Sequence, residues 1–170
     1  MPLPHQIATL LYCFNEAGEV LLIERTREPN RGLWSPPGGK LHTHDGESPY
    51  ACACREAHEE LGIELTPSDL HLAAIVSEHG YQEQAHWLMF LFEVKRKLRT
   101  LPPPHGEGRF QFFSRDAMET IPLPRTDRQT IWPLLWKHRG GFFAAHCHCH
   151  AGGHDDWIIE ETRDAVPPLV

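Results

Sequence analysis

Apolar positions along this chain come mostly in short runs with turn residues between them, a pattern that favours strands. Residues 7–14 form such a run, end at Asn15-Glu16-Ala17-Gly18, and resume at 20–23, which predicts a β-hairpin. A loop rich in proline and glycine follows over 28–40 and carries Trp34-Ser35-Pro36-Pro37-Gly38-Gly39. Residues 48–61 hold no interior glycine. Ser48 suits an N-cap, Pro49 a first helical turn and Gly62 a helix stop, so this segment is predicted helical. Strands are predicted at 70–77, 86–94 and 109–113, with a proline-rich loop over 98–108. A brief helix is expected at 114–120 and a longer one over 127–137, kinked at Pro133, before a terminal hairpin of 141–150 with 157–162. Strands outnumber helices without alternating strictly with them. The expected class is therefore α+β, in a single domain spanning 1–170.

Charge narrows the possible partners. The formal net charge of −7 leaves no bulk basic field for a nucleic-acid polymer. An acidic chain that handles phosphates needs local cations to offset repulsion. No apolar run reaches membrane-spanning length, and residues 1–6 do not read as a signal peptide, so no membrane association is expected. The five cysteines are odd in number, and Cys52/Cys54 and Cys147/Cys149 are too closely spaced for a secreted disulfide framework, which points to the reducing cytoplasm. The acidic surface leaves monomer and homodimer both open.

The chemistry is concentrated in Arg55-Glu56-Ala57-His58-Glu59-Glu60-Leu61-Gly62-Ile63. On a helix, Glu56, Glu59 and Glu60 share one face, where like charges repel. Three glutamates alone most often make a solvated acidic face. The balance changes because Gly38-Gly39 lies just upstream, Glu47 stands eight residues before Arg55, and Gly62 closes the helix. Anionic oxygen clusters suit hard cations such as Mg2+ or Mn2+.

Residues 39–63 resemble the Nudix box, G-x5-E-x7-R-E-U-x-E-E-x-G-U, in which U is apolar. Glu47, Arg55, Glu56, Glu59, Glu60, Gly62 and Ile63 stand at its fixed positions. One departure is present: seven residues separate Gly39 from Glu47 where the pattern has five. The resemblance implies a Nudix fold, with a mixed β-sheet sandwiched between helices. It also implies a nucleotide-like substrate whose phosphoanhydride bond is cut with Mg2+ or Mn2+. Glu56, Glu59, Glu60 and the Gly39 carbonyl would be the metal ligands, Arg55 and Glu47 would brace them, and Gly62 would close the helix beneath them. Catalytic roles would fall to Arg55, Glu59, Glu60 and Glu107, the last just before the aromatic strand.

The remainder of the chain is similar to the MutT and oxidised-purine nucleoside triphosphatase branch. That similarity makes Trp34, Ser35, Lys40 and Asp127 the expected substrate-binding residues. Ser35 departs from the asparagine the branch places there, and helix N-capping is an equal alternative for Asp127. ADP-ribose or dinucleoside polyphosphate hydrolysis, and nucleotide sensing without cleavage, are the alternatives within the fold.

Two histidine groupings compete for attention. His42, His44 and His58 fall near the box, more simply as loop and surface residues. His146-Cys147-His148-Cys149-His150 invites a zinc reading, and a metal-binding or interaction protein built on this hairpin is the third hypothesis. Strand alternation would split these ligands, with imidazoles on one face and thiols on the other. The expected arrangement is a half-buried strand with a polar histidine face and the cysteines packed inside. Trp132 is expected in the core.

Overall fold

The structure, a computed structural model, describes residues 1–104 and 106–166. Among these residues, nine strands form two sheets. The larger has six strands: β1 (His5–Tyr12), β4 (Gly38–Lys40), β5 (Leu70–Tyr81), β6 (Ala85–Val94), β8 (Phe142–His148) and β9 (Asp156–Arg163). Their order is β4-β1-β6-β5-β8-β9, with β1–β6 and β5–β8 parallel and the other pairs antiparallel. The smaller sheet joins β3 (Trp34–Ser35), β2 (Val20–Arg25) and β7 (Gly108–Phe113).

Among the described residues, two α-helices lie against these sheets. In α1 (Pro49–Leu61) the Ser48 hydroxyl accepts from Ala51 N, and Gly62 at φ 66° donates to His58 O, so both ends form as the sequence predicts. The buried residues Cys52, Ala53, Glu56, Ala57, Glu60 and Leu61 recur at helical spacing. The small side chains of Ala53 and Ala57 let α1 lie close to β1 and β4. Near the C-terminus, Asp127–Ile131 forms a wide π-type turn that runs into α2 (Trp132–Lys137). Pro133 stands in the first turn of α2, where its missing N–H is tolerated, so the irregularity precedes the proline.

Alternation divides the core in two. Leu11, Cys13, Leu21 and Ile23 pack with the apolar face of α1, whereas Tyr12, Phe14, Val20 and Leu22 pack on the opposite side with Ile131, Trp132 and Leu135. Both faces of β1 and β2 are thus covered, which explains their continuous apolar runs. The α/β/α sandwich expected from the resemblance is present.

One expectation is corrected. The chain does turn tightly at Asn15–Glu19, with Asn15 N donating to Glu19 O at 3.0 Å and Leu21 N to Cys13 O at 2.9 Å. Yet β1 and β2 are not a hairpin. Beyond the turn, β1 pairs with β4 and β6 while β2 pairs with β3 and β7. Burial on both faces draws each strand into its own sheet. The terminal hairpin, in contrast, forms as β8–β9. The loop over 98–108 is irregular at 99–104 and at 106–107, and residue 105 lies outside the described residues. Among the described residues, no helix is long and apolar enough to cross a membrane.

Candidate functional site

β4 brings the glycine pair against the helix. Gly38 and Gly39 pair with Leu10 and Thr9 of β1. A Cβ at Gly38 would lie 2.1 Å from Thr9 O, and one at Gly39 would lie 2.2 Å from Glu56 Oε1. Neither position admits a side chain without displacing backbone or the Glu56 carboxylate. Gly38 N donates to Glu60 Oε2 at 3.0 Å, which fixes that carboxylate from the sheet side.

Arg55 organises the other carboxylates. Its Nε donates to Glu47 Oε1 at 2.7 Å and its Nη1 to Glu56 Oε1 at 2.7 Å and Glu59 Oε2 at 3.1 Å. Nη2 reaches Glu47 Oε2 and the Lys40 carbonyl. One guanidinium therefore ties helix, loop and β4 together, a use of its planar fork that lysine cannot reproduce. The hydrogen bond from Arg55 holds the Glu47 carboxyl down at about 2. Glu56 and Glu60 differ: burial raises both, and carries Glu60 to about 8, with Glu56 and Glu107 adding repulsion. Glu107, on the approach to β7, is hydrogen-bonded to Glu60 and so joins the cluster. Glu59 stands at the rim, 52% exposed. The two-residue insertion is absorbed as a short 3-10 turn, Thr43–Asp45, closed by Gly46 at φ 69°, which leaves Glu47 in register with Arg55.

The cluster lines one end of a cavity of about 550 Å³. Ser35, Lys40 and Asp127 also line it. Trp34 does not. It is buried between β2 and the core, edge-on to Phe113 at 4.8 Å, because alternation in β3 turns Ser35 to the cavity and Trp34 away from it. That corrects its expected place, while Trp132 is in the core, 4.9 Å from Tyr12. Thr126, not Asp127, occupies the N-cap position of the π-type turn, and no side chain caps it. His42 lines the cavity, while His44 and His58 are exposed beside Asp45 and Glu64.

Sequence reasoning missed the opposite end. Glu78 of β5 lines the cavity, is 4% exposed and is hydrogen-bonded to Thr126. Burial pushes it up to about 7 and Asp127 up to about 8, and each repulsion by a neighbouring carboxylate adds to the shift. Ser35 Oγ and Glu78 Oε1 have no hydrogen-bond partner among the described residues. The signal for Glu78 was available. The inward parity of Ala74 and Val76 continues to residue 78, so the strand carries a charged residue where an apolar one belongs. The sequence reading ended this strand at residue 77. Trp87 and Met89 of β6 were missed likewise; the Lys40 ammonium lies 5.5 Å over the Trp87 ring.

The terminal hairpin shows the expected alternation. Cys147 is buried, His146 bonds Ser77 across to β5, and His148 packs on His79 at 4.2 Å. Cys147, Cys149 and Asp155 do bring ligand atoms within 4.8 Å of one another, but Arg125 grips the Asp155 carboxylate at 2.8 Å through both oxygens.

Comparison with known proteins agrees with this geometry. The family model described as NUDIX domain matches residues 4–135. The chain is 32% identical over 108 residues to an isopentenyl-diphosphate Delta-isomerase of Streptomyces avermitilis, covering 59% of this chain and 53% of that protein. The chain thus spans about half the length of that curated relative. A MutT protein from Bacillus halodurans superposes with a TM-score of 0.71 at 23% identity, covering 91% of this chain and 97% of its own. The NUDIX domain of Shewanella oneidensis NrtR, solved with ADP ribose, superposes at 0.63 with 14% identity over 81% and 88%. With the family model spanning most of its length and the box carboxylates gathered at one cavity, the chain belongs to the Nudix family.

Proposed function

We propose that this protein is a metal-dependent hydrolase that cuts a phosphoanhydride bond in a nucleoside diphosphate-linked substrate. The observation that carries this reading is one cavity with an all-oxygen carboxylate cluster at one end and buried hydrogen-bonding groups at the other. The donor set fits Mg2+ or Mn2+: carboxylates of Glu56, Glu59 and Glu60 with the Gly39 carbonyl are hard oxygen ligands. Burial of Glu56 and Glu60, which disfavours their charged forms in the bare protein, is what a bound cation would offset. When bound, the metal neutralises phosphate charge and acidifies a water.

The protein's own groups do the positioning. Arg55 fixes Glu47, Glu56 and Glu59, and the Gly38 N–H fixes Glu60. Glu107, hydrogen-bonded to Glu60, would accept a proton from the attacking water in this reading. Lys40 at the rim supplies a positive charge to the phosphates. The five cysteines are all free, which fits a reducing compartment such as the cytoplasm.

The leading substrate is an oxidised purine nucleoside triphosphate, cut to the monophosphate. ADP-ribose is the second reading, supported by the likeness to a domain solved with that ligand. An alkyl diphosphate, suggested by the isomerase relative, fits poorly against buried carboxyls at the cavity's far end. A panel of oxidised and ordinary nucleoside triphosphates, ADP-ribose and dinucleoside polyphosphates with Mg2+ or Mn2+, read by chromatography, tests this. Metal-dependent release of a nucleoside monophosphate is expected. Absence of cleavage across the panel would overturn hydrolysis in favour of a sensing module.

A further inference from the structure

The histidines of the terminal hairpin have neighbours that lie far away along the chain. His5 of β1, His86 of β6, His79 of β5 and His148 of β8 stand side by side across four adjacent strands of the larger sheet. His5 pairs with His86, and His79 with His148, in direct register. Ring centroids are 5.1 Å apart for His5–His86, 4.5 Å for His86–His79 and 4.2 Å for His79–His148. His150 extends the row at 5.0 Å from His148. His79, His148 and His150 are exposed, whereas the adjoining Glu78 and Cys147 are buried. Alternation thus sets His79 on the opposite face of β5 from the Glu78 side chain that lines the cavity.

Imidazoles in contact disfavour charge on one another. His79 is lowered by desolvation and by repulsion from His148, His86, His146 and His150. A neutral imidazole keeps a lone pair on one nitrogen, and that is the form that binds metal. Hydrogen bonds sort which rings can use it. Gly80 N donates to His86 Nδ1 at 3.0 Å, which occupies the acceptor of that ring and leaves no lone pair for a cation. His5 lies beyond His86, at the remote end of the row. His150 is the opposite case. Its Nε2 lies 2.9 Å from Asp156 Oδ2, so the carboxylate accepts from Nε2–H and Nδ1 keeps the lone pair. A carboxylate behind the ring in this way orients it and raises its basicity. The His150 backbone N–H donates to Asp155 Oδ1 at 3.0 Å, which fixes the turn that carries the ring. As stacked, the three rings do not bring their nitrogens to one point. Rotation about χ1 and χ2, open to exposed side chains, turns them to a common centre.

We infer that His79, His148 and His150 form a nitrogen site for a borderline divalent cation of the Zn2+ class, on the outer face of the larger sheet and separate from the carboxylate cluster of the box. Imidazole suits Zn2+, whereas hard oxygen donors suit Mg2+. Three protein ligands with water as the fourth complete a tetrahedron. Cys149 lies with Cys147 on the other side, their sulfurs 3.6 Å apart, and takes no part. A cation held here clamps β5 to the end of β8. The inference is independent of the hydrolase reading.

The test is calorimetric titration of Zn2+ into the metal-free protein with excess Mg2+ present, in wild type and in the Glu59→Gln/Glu60→Gln double variant. One zinc per chain is expected to bind in both, because the site does not use the box. His148→Asn should weaken that event by at least ~10-fold and Asp156→Asn by about 10-fold, through loss of a ligand and of the group that orients one. His5→Asn should leave it within about twofold, since His5 lies outside the ligand set. Zinc should raise the melting temperature of wild type and not of His148→Asn. In NMR spectra of wild type, the imidazole signals of His79, His148 and His150 should shift together on zinc addition while those of His5 stay. Absence of a zinc event in the box variant would overturn the inference. So would binding that survives His148→Asn and is lost in Cys149→Ser, which would put the metal on the thiols. If His148→Asn does not fold, the wild-type spectra decide: unmoved His79, His148 and His150 signals at saturating zinc overturn the site.

Discussion

The two ends of the cavity are both rich in carboxylates and are built in opposite ways. At the box end, Glu47, Glu56 and Glu59 share one guanidinium, and Glu60 accepts from a backbone N–H. At the far end, Glu78 and Asp127 are buried with no free cation described beside them, and both are held above the usual carboxylate range. Burial also raises Glu56 and Glu60 at the box end, so what separates the ends is the partner each supplies: Arg55 and the Gly38 N–H serve the first, while Arg125 beside the second is committed to Asp155. The contrast teaches that buried carboxyls in one pocket can be given very different counter-charge by their surroundings.

The largest expected effect breaks the first arrangement sterically. Gly39→Ala would place a methyl 2.2 Å from Glu56 Oε1, so the carboxylate must move. Turnover is expected to fall roughly 100-fold, since displacement of a catalytic group by about 1 Å has that cost. Steady-state kinetics beside a melting curve would check it; full activity would show that Glu56 need not sit where it does. Next comes Arg55→Lys, which keeps the charge and loses the fork. Metal affinity or turnover should drop about 10- to 100-fold, as for groups that orient metal ligands. Manganese titration against kcat separates the two.

Glu47, held by Arg55, and the buried Asp127 predict opposite pH responses. Glu47 is lowered to about 2 by Arg55, so its stabilising contribution is present above its unfolded value and is lost as pH falls toward 2. Asp127 is raised to about 8, so the folded state holds an extra proton between the unfolded value near 4 and about 8. Stability from this group is full below about pH 4 and declines as pH rises through 8. Asp127→Asn should therefore flatten that decline and raise the melting temperature at pH 8 by a few degrees, relative to wild type. An unchanged slope would show that Asp127 is already ionised in the fold.

The fold and the box were legible because their signals are local. Ser48, Pro49 and Gly62 mark α1, and the helical period alone gathers Glu56, Glu59 and Glu60. The hairpin expected from residues 7–23 failed because partner choice for β1 depends on β4 and β6, far along the chain. The far end of the cavity was hidden for the same reason. Ser35, Glu78 and Asp127 meet only after three separate segments fold, and the same folding brings Trp87 to the cavity wall while Trp34 packs into the core. The smallest effect sharpens this point. Trp34→Phe should leave KM within about twofold while lowering stability by about 1 kcal/mol, as a core substitution does. A larger change in KM would return Trp34 to the substrate site.

The most direct test of the central claim is Mg2+-dependent turnover of the best nucleotide by Glu59→Gln and Glu60→Gln beside wild type, with folding checked by circular dichroism. Removing a ligand that positions charge in the transition state should lower kcat by about 100- to 1,000-fold with the fold intact. Unchanged turnover in both variants would contradict the account.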